Sequence, residues 1–241
     1  MYQYEFIVNG YPVHAQYSEQ FINDIAMPLL ETWSRMANDK QVLVFLAAPP
    51  GVGKSTMALL FETLAVRKGI KLQALGMDGF HHYQKYILSH TVFIDGTEIE
   101  MKKVKGCPES FDFERLLRFV QRIKNEEKVL WPLYDRRMHD VVDDQIDVSA
   151  PIVLIEGNYL LLDEEPWNRL SDLCDATVFI EADEQSLCDR LIQRKLNGGM
   201  APHEAVAFVR QSDLRNVKRI LEHRKKADVT LVFEQGDFKK K

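Results

Sequence analysis

The chain has 241 residues, of which 46% are hydrophobic and 28% charged, and a formal net charge of −5. That length fits one sizeable domain or a domain with an appendage, and the composition is that of an ordinary globular protein. The slight acidity speaks against a broad nucleic-acid surface, no apolar run reaches the length of a membrane span, and the opening residues lack a basic-then-apolar leader pattern. The three cysteines, Cys107, Cys174 and Cys188, are far apart and form no C-x-x-C pair. The expectation is reduced thiols in a cytoplasmic protein, neither disulfides nor metal ligands.

In chain order, residues 4–16 form two strand-like runs around Asn9-Gly10, a strong hairpin signal. Phe21, Ile22, Ile25, Leu29, Leu30 and Trp33 then recur at helical spacing. From the apolar run 42–48 onward, strands and helices alternate. A helix runs through Leu59, Leu60, Leu64 and Val66 and ends at Gly69, and a strand follows over 72–77. An amphipathic helix covers 111–124, and an extended run over 129–133 is stopped by Pro132. Apolar strands cover 152–156 and 176–181, with a helix over 183–197 closed by Gly198-Gly199. A helix over 204–224 and a strand over 229–233 complete the pattern, and Lys239-Lys240-Lys241 reads as a solvated end. Short continuous apolar strands are buried on both faces. The alternation therefore predicts a three-layer α/β fold: a mostly parallel sheet, helices on both faces, ligands at the carboxyl ends of the strands. The plan is a hairpin–helix extension over 1–40 packed on a main domain over 41–241.

At 48–56 the first apolar run of that domain breaks into Ala48-Pro49-Pro50-Gly51-Val52-Gly53 and then Lys54-Ser55-Thr56. Strand, Gly/Pro loop, Lys-Ser and helix in this order make a phosphate-binding loop (P-loop). Its backbone N–H groups point at a phosphate chain, Lys54 reaches the β/γ-phosphates, and Ser55 places its hydroxyl on Mg²⁺. Residues Pro50, Gly51, Val52, Gly53, Lys54, Ser55 and Thr56 are thus the predicted nucleotide contacts, with ATP and Mg²⁺ as cofactors. The pattern departs once: its usual first glycine is Ala48. Alanine is tolerated there if φ stays negative.

The other strand ends decide what happens to the phosphate. Asp78, in Met77-Asp78-Gly79-Phe80-His81-His82, follows the second strand, where an acid would face the γ-phosphate across the crevice. A carboxylate there can orient an acceptor hydroxyl and take its proton; the competing reading is a turn acid before glycine. The adjacent His81 and His82 do not have zinc-ligand spacing, and His81 is a candidate substrate contact. Glu156, in Ile155-Glu156-Gly157-Asn158-Tyr159, could hold magnesium through water or orient the acceptor, and Gly157 would let the chain turn near the phosphates. Arg190 and Arg194 share one helix face and could fold over the triphosphate, with Gly198-Gly199 as the hinge of a lid over 190–205. The basic segment holding Lys102, Lys103 and Lys105 could bind an anion, and the segment 134–140, with Tyr134 and Arg136, could line an acceptor pocket.

Together these motifs resemble the pantothenate kinase, uridine kinase and phosphoribulokinase group of P-loop kinases over roughly 42–225. Asp78-Gly79-Phe80 is similar to the element carrying that group's catalytic acid. Met101-Lys102-Lys103 and the run from Lys105 to Asp112 resemble a bacterial pantothenate kinase segment in which a lysine touches phosphate or substrate, which implies Lys103 or Lys105 here. Pro132-Leu133-Tyr134-Asp135 resembles the acceptor side, Glu156-Gly157-Asn158-Tyr159 the third strand end, and Arg194 falls at the lid arginine. The overall pattern is most similar to uncharacterised bacterial nucleoside- or pantothenate-kinase-like proteins that open with such a hairpin. No counterpart of the aromatic-lined pantothenate pocket is evident.

The expectation is an ATP- and Mg²⁺-dependent kinase acting on a hydroxyl of a small metabolite, with Lys54, Asp78 and Arg194 catalytic. Asp78, His81, Lys103, Lys105, Tyr134, Arg136 and Glu156 are placed on the acceptor side, and Ser55 and Glu156 on the metal. The alternative is a P-loop ATPase or a nucleotide-dependent regulator. An Asn-Lys-x-Asp guanine motif and a strand ending in Asp-Glu are both missing, which favours the kinase. No motif specifies an oligomeric state.

Overall fold

A computed structural model describes residues 1–8 and 10–241; Asn9, half of the expected Asn9-Gly10 turn, lies outside the described residues. β1 (Tyr2–Val8) and β2 (Tyr11–Tyr17) pair antiparallel, from Tyr2 opposite Tyr17 to Val8 opposite Tyr11. Ser18 then caps a helix, its Oγ accepting from the Phe21 N–H at 2.8 Å. That helix, α1, comprises Glu19–Phe21, a π-helical turn Ile22–Ala26, and Met27–Met36.

The central sheet is built from β3 (Val42–Ala47), β4 (Leu72–Gly76), β9 (Ile152–Gly157), β10 (Ala176–Ala182), β11 (Val229–Glu234) and β12 (Asp237–Lys240). Its order is β12-β11-β10-β3-β9-β4, parallel except for β12. Every side chain of β3 is buried, because the strand has a core on each face. Val42, Val44 and Leu46 pack with α2 (Lys54–Arg67) and with Tyr4, Tyr17, Phe21 and Trp33 of the extension. Leu43, Phe45 and Ala47 pack with α3 (Phe113–Lys124) and Trp131 on the other face. The expected three-layer α/β architecture with an N-terminal hairpin and helix is therefore the one observed.

The sequence reading needs correction at several points. Pro132 does not stop its strand: β7 (Val129–Asp135) passes through it, with a register irregularity between Trp131 and Leu133 that accommodates the missing N–H. β7 pairs antiparallel with β8 (Asp140–Val148), whose run of acids hid its strand pattern. A second unread hairpin joins β5 (Thr91–Ile94) to β6 (Thr97–Glu100). Lys239, Lys240 and Lys241 are exposed as expected, but the first two lie on β12, which adds to the sheet edge and whose Phe238 is buried against Tyr17, Phe21 and Phe233. The long terminal helix is interrupted, running Pro202–Phe208, a π-helical turn Val209–Asp213, and Leu214–Glu222. No described helix is long and apolar enough to cross a membrane, and all three cysteines are free thiols.

Candidate active site

The loop after β3 owes its shape to two glycines. Gly51 and Gly53 adopt φ of +88° and +103°, a region L side chains avoid. Ala48 has no positive φ, which is why alanine is accepted there; its N–H donates to the Gly157 carbonyl at 3.3 Å. Thr56 Oγ1 donates to the Gly53 carbonyl at 2.7 Å, and Arg190 Nε to the Gly51 carbonyl at 2.7 Å. The Arg190 guanidinium also stacks on the Phe233 ring, 4.6 Å from its centroid. Arg190 thus braces the phosphate loop through that loop's backbone. Tyr17 of β2 interacts with Thr56, and burial, the leading cause, pushes its phenol up to about 12.

Ser55 and Lys54 open α2 and meet the end of β9. Ser55 Oγ donates to Glu156 Oε1 at 2.7 Å, and Lys54 Nζ stands 3.9 Å from Glu156 Oε2. Burial raises the Glu156 carboxyl above its ordinary value; the neighbouring Asp78 charge adds to this, against the pull of Lys54. The site fits the triphosphate and Mg²⁺ that the loop implies. The glycine cradle leaves backbone N–H groups unobstructed at a helix N-terminus, and a hydroxyl and a carboxylate lie side by side as hard oxygen donors. Among the described residues no group of three or more His, Cys, Asp or Glu gathers to hold a metal alone. Phosphate and water oxygens would complete the shell.

Asp78 sits on the 3₁₀ turn Met77–Phe80 directly after β4. The turn is pinned three ways. A Cβ on Gly79 would fall 2.2 Å from the Pro132 carbonyl oxygen, so only glycine allows β7 this close. Trp131 Nε1 donates to the Gly76 carbonyl at 2.9 Å. His81 Nδ1 lies 2.8 Å from the Asp78 carbonyl, which can only accept, so Nδ1 carries the proton. Burial alone would raise the Asp78 carboxyl, but the adjoining His81 imidazole and the charges of Lys54, Arg136 and Arg194 outweigh it and hold the group below its ordinary value; burial in turn lowers the basicity of His81. Asp78 is therefore an anion facing the cations Lys54, Arg136 and Arg194.

A cavity of about 470 Å³ opens beyond the phosphate loop, with Ser55, Asp78, Tyr134, Arg136 and Glu156 in its wall. Lys105 reaches toward it: its Nζ donates to Gln84 Oε1 at 2.6 Å, to the Tyr134 hydroxyl at 2.8 Å and to the His139 carbonyl at 3.2 Å. Burial, with the Asp78 and Asp140 charges, pushes the Tyr134 phenol up to about 12. Arg194 shares a charge environment with Asp78, Arg136 and Asp213, and burial lowers its basicity.

Two expected substrate contacts are placed elsewhere. Lys103 lies on the surface, its Nζ 2.5 Å from Glu100, so Lys105 and not Lys103 joins the cluster. His81 does not line the cavity, because its ring is buried 3.8 Å from the Phe111 centroid and supports the Asp78 turn. Gly157 also has a different reason to be glycine: a Cβ there would meet the Met77 side chain at 2.7 Å. Sequence reading missed Asp213, which is buried in the π-helical turn 3.7 Å from Lys195 Nζ. A charged residue on the helix stripe Val209–Val217–Ile220 was the available signal. It also missed Ile7 and Val8 of the extension, which line the cavity and carry no motif.

The chain is 38% identical over 240 residues to the uncharacterised protein YggC of Escherichia coli, covering 97% of each chain. It is 30% identical over 154 residues to a pantothenate kinase of Ligilactobacillus salivarius, covering 62% of this chain and 47% of that one. The crystal structure of a proposed fructose transport system kinase from Silicibacter sp. TM1040 superposes with a TM-score of 0.76 at 30% identity, over 85% of this chain and 98% of that one. The profile described as phosphoribulokinase/uridine kinase family matches residues 43–227. This chain, a P-loop kinase acting on small metabolites, belongs to the phosphoribulokinase/uridine kinase family.

Proposed function

We propose that the protein transfers the γ-phosphoryl group of ATP, with Mg²⁺, to a hydroxyl of a pantothenate-, nucleoside- or sugar-like metabolite. One observation carries the reading: Asp78, ionised and pinned, shares a cavity with Ser55 and Glu156, next to the phosphate loop. An ATPase needs only room for water beside its phosphates, whereas this cavity has space for a small metabolite.

In this reading Lys54 and the loop N–H groups hold the phosphates, and Ser55 and Glu156 hold the metal. A metal held by these two side chains would neutralise phosphate charge. Asp78 orients the acceptor hydroxyl and receives its proton. Its depressed basicity suits a loose transition state, in which alignment counts for more than early proton removal. Arg194, with Arg136, offsets charge on the transferring group, and Arg190 keeps the loop in shape. The lid over 190–205 would bring Arg194 to bear.

The test is a coupled ADP-release assay with pantothenate, uridine, D-fructose and D-glycerate. Acceptor-dependent ADP release supports the kinase, and mass spectrometry of the product names the acceptor. ADP release indifferent to every compound would favour the ATPase reading.

A further inference from the structure

We infer that the N-terminal hairpin is part of the acceptor site, and that Ile7 selects acceptors by the aliphatic surface it presents. The inference deepens the kinase reading above and rests on it.

β1 alternates in burial. Tyr4 and Phe6 point into the core, while Gln3, Glu5 and Ile7 point away from it. Gln3 and Glu5 are what a solvated face calls for, and Ile7 is not. It is 65% exposed and serves no core. A single exposed isoleucine is unremarkable in itself. The position of this one is what matters: Ile7, Val8 and Gly10 line the same cavity as Asp78, Ser55 and Glu156. Leu133 and Ile146 of the β7–β8 hairpin line it too, and Leu133 is 40% exposed. The cavity therefore has polar, charged groups where phosphate transfer would occur and aliphatic side chains from two hairpins farther out. Such a wall gains by covering apolar ligand surface and offers nothing to a hydroxyl.

The hairpin is seated rather than loosely apposed. The Arg137 guanidinium lies 3.7 Å from where a Cβ on Gly10 would sit, so the hairpin tip rests on the β7–β8 turn. At the other end of β2, the buried Tyr17 phenol interacts with Thr56 of the phosphate loop. One hairpin thus touches both the donor and the acceptor halves of the site. Its contacts with the acceptor lie away from the reacting oxygen, so they act on binding and not on the chemical step.

The test uses the full chain in the ADP-release assay, with pantothenate, uridine, D-fructose and D-glycerate and with Ile7→Ser, Ile7→Leu and Val66→Ser. Val66 is 73% exposed and does not line the cavity, which makes it the control for loss of an exposed aliphatic side chain. For the acceptor that wild type uses best, Ile7→Ser should raise KM about tenfold or more, the scale of a lost hydrophobic contact in a specificity pocket. Its Tm and its KM for ATP should match wild type, Ile7→Leu should restore most of the acceptor KM, and Val66→Ser should leave it unchanged. An Ile7→Ser protein with a wild-type acceptor KM would overturn the inference while leaving the kinase reading standing. A lowered Tm with KM values for ATP and acceptor rising together would make Ile7 a structural residue and overturn it as well. A wild-type chain that phosphorylates none of the four overturns the kinase reading and this inference with it.

Discussion

Asp78→Asn isolates the chemistry from the fold. Asparagine has nearly the shape of aspartate, so the 3₁₀ turn keeps its three restraints: the Gly79 approach to Pro132, the Trp131–Gly76 bond and the His81–Asp78 backbone bond. What disappears is one negative charge and the ability to take a proton. Loss of a positioned general base costs about 10²–10⁴ in rate. At about 1.36 kcal/mol per tenfold this is about 2.7–5.4 kcal/mol of barrier. The same change removes a carboxylate from among Lys54, Arg136 and Arg194, so a bound triphosphate is repelled less. ATP should therefore bind as tightly as in wild type or somewhat tighter. The fold should lose a little, because a carboxylate held below its ordinary value stabilises the native state at neutral pH. The assay pairs acceptor-dependent ADP release with ATP binding by calorimetry. A kcat within threefold of wild type would remove Asp78 from the proton-accepting role. A large loss of ATP affinity would show that the substitution had damaged the phosphate site instead.

Three further outcomes are expected. ATP at a hundredfold its Kd should stabilise wild type by about 2.7 kcal/mol, or roughly 5–10 °C for a chain of this size. Lys54→Ala should lose most of that shift along with activity, and an undiminished shift would detach Lys54 from the phosphates. Gly79→Ala drives a Cβ to 2.2 Å from the Pro132 carbonyl oxygen. It should cost about 1–3 kcal/mol in chemical denaturation and depress kcat, because Asp78 rides on the same turn; wild-type values for both would show that β7 yields easily. Asp175 accepts from Lys40 at 2.5 Å, Lys124 at 2.7 Å and the Leu43 N–H at 2.9 Å. Burial raises its carboxyl, but these bonds prevail and hold it below its ordinary value. Its stabilisation is then complete above the unfolded value of about 4 and is lost as pH falls through the lower folded value. Asp175→Asn should cost about 1–2 kcal/mol at pH 7, discounted for the exposed Lys40, and should converge with wild type in strong acid. An equal deficit at both pH values would assign the loss to packing.

The parts of the molecule that local chemistry dictates were legible in the sequence. Val42–Ala47 announces itself as a doubly buried strand, and the glycines and Lys-Ser that follow define the loop without help from the rest of the chain. Asp78 and Glu156 could be picked out because an acid at the end of an apolar strand faces the crevice in any parallel sheet. Lys103 and Lys105 could not be told apart, since a two-residue difference in a 3₁₀-rich loop sends one to Glu100 and the other to Tyr134. His81 was misjudged because its role depends on Phe111, thirty residues away, against which the ring packs. β8 and β12 were missed because each is an edge element whose pattern is mostly polar, and a partner strand supplies what periodicity does not.

The two halves of the site are held in different ways, and this has a consequence for selectivity. The donor half is mostly local: loop, Lys54 and Ser55 lie within a few residues of one another and Thr56 bonds back to the Gly53 carbonyl, with one distant brace from Arg190 to the Gly51 carbonyl. The acceptor half is assembled from distant segments: β1, the turn after β4, Lys105, β7 and the helix carrying Arg194. Within that half Asp78 is fixed by backbone approach, and that approach is to β7, the strand that also carries Leu133 and Tyr134. Asp78 and part of the cavity wall are therefore registered to one strand. The opposing wall comes from β1, outside residues 43–227 that match the family. Side chains on β1 can change without disturbing the Gly79–Pro132 contact or the loop. A fold arranged this way can hold phosphoryl transfer constant while the extension alters which hydroxyl compound is admitted.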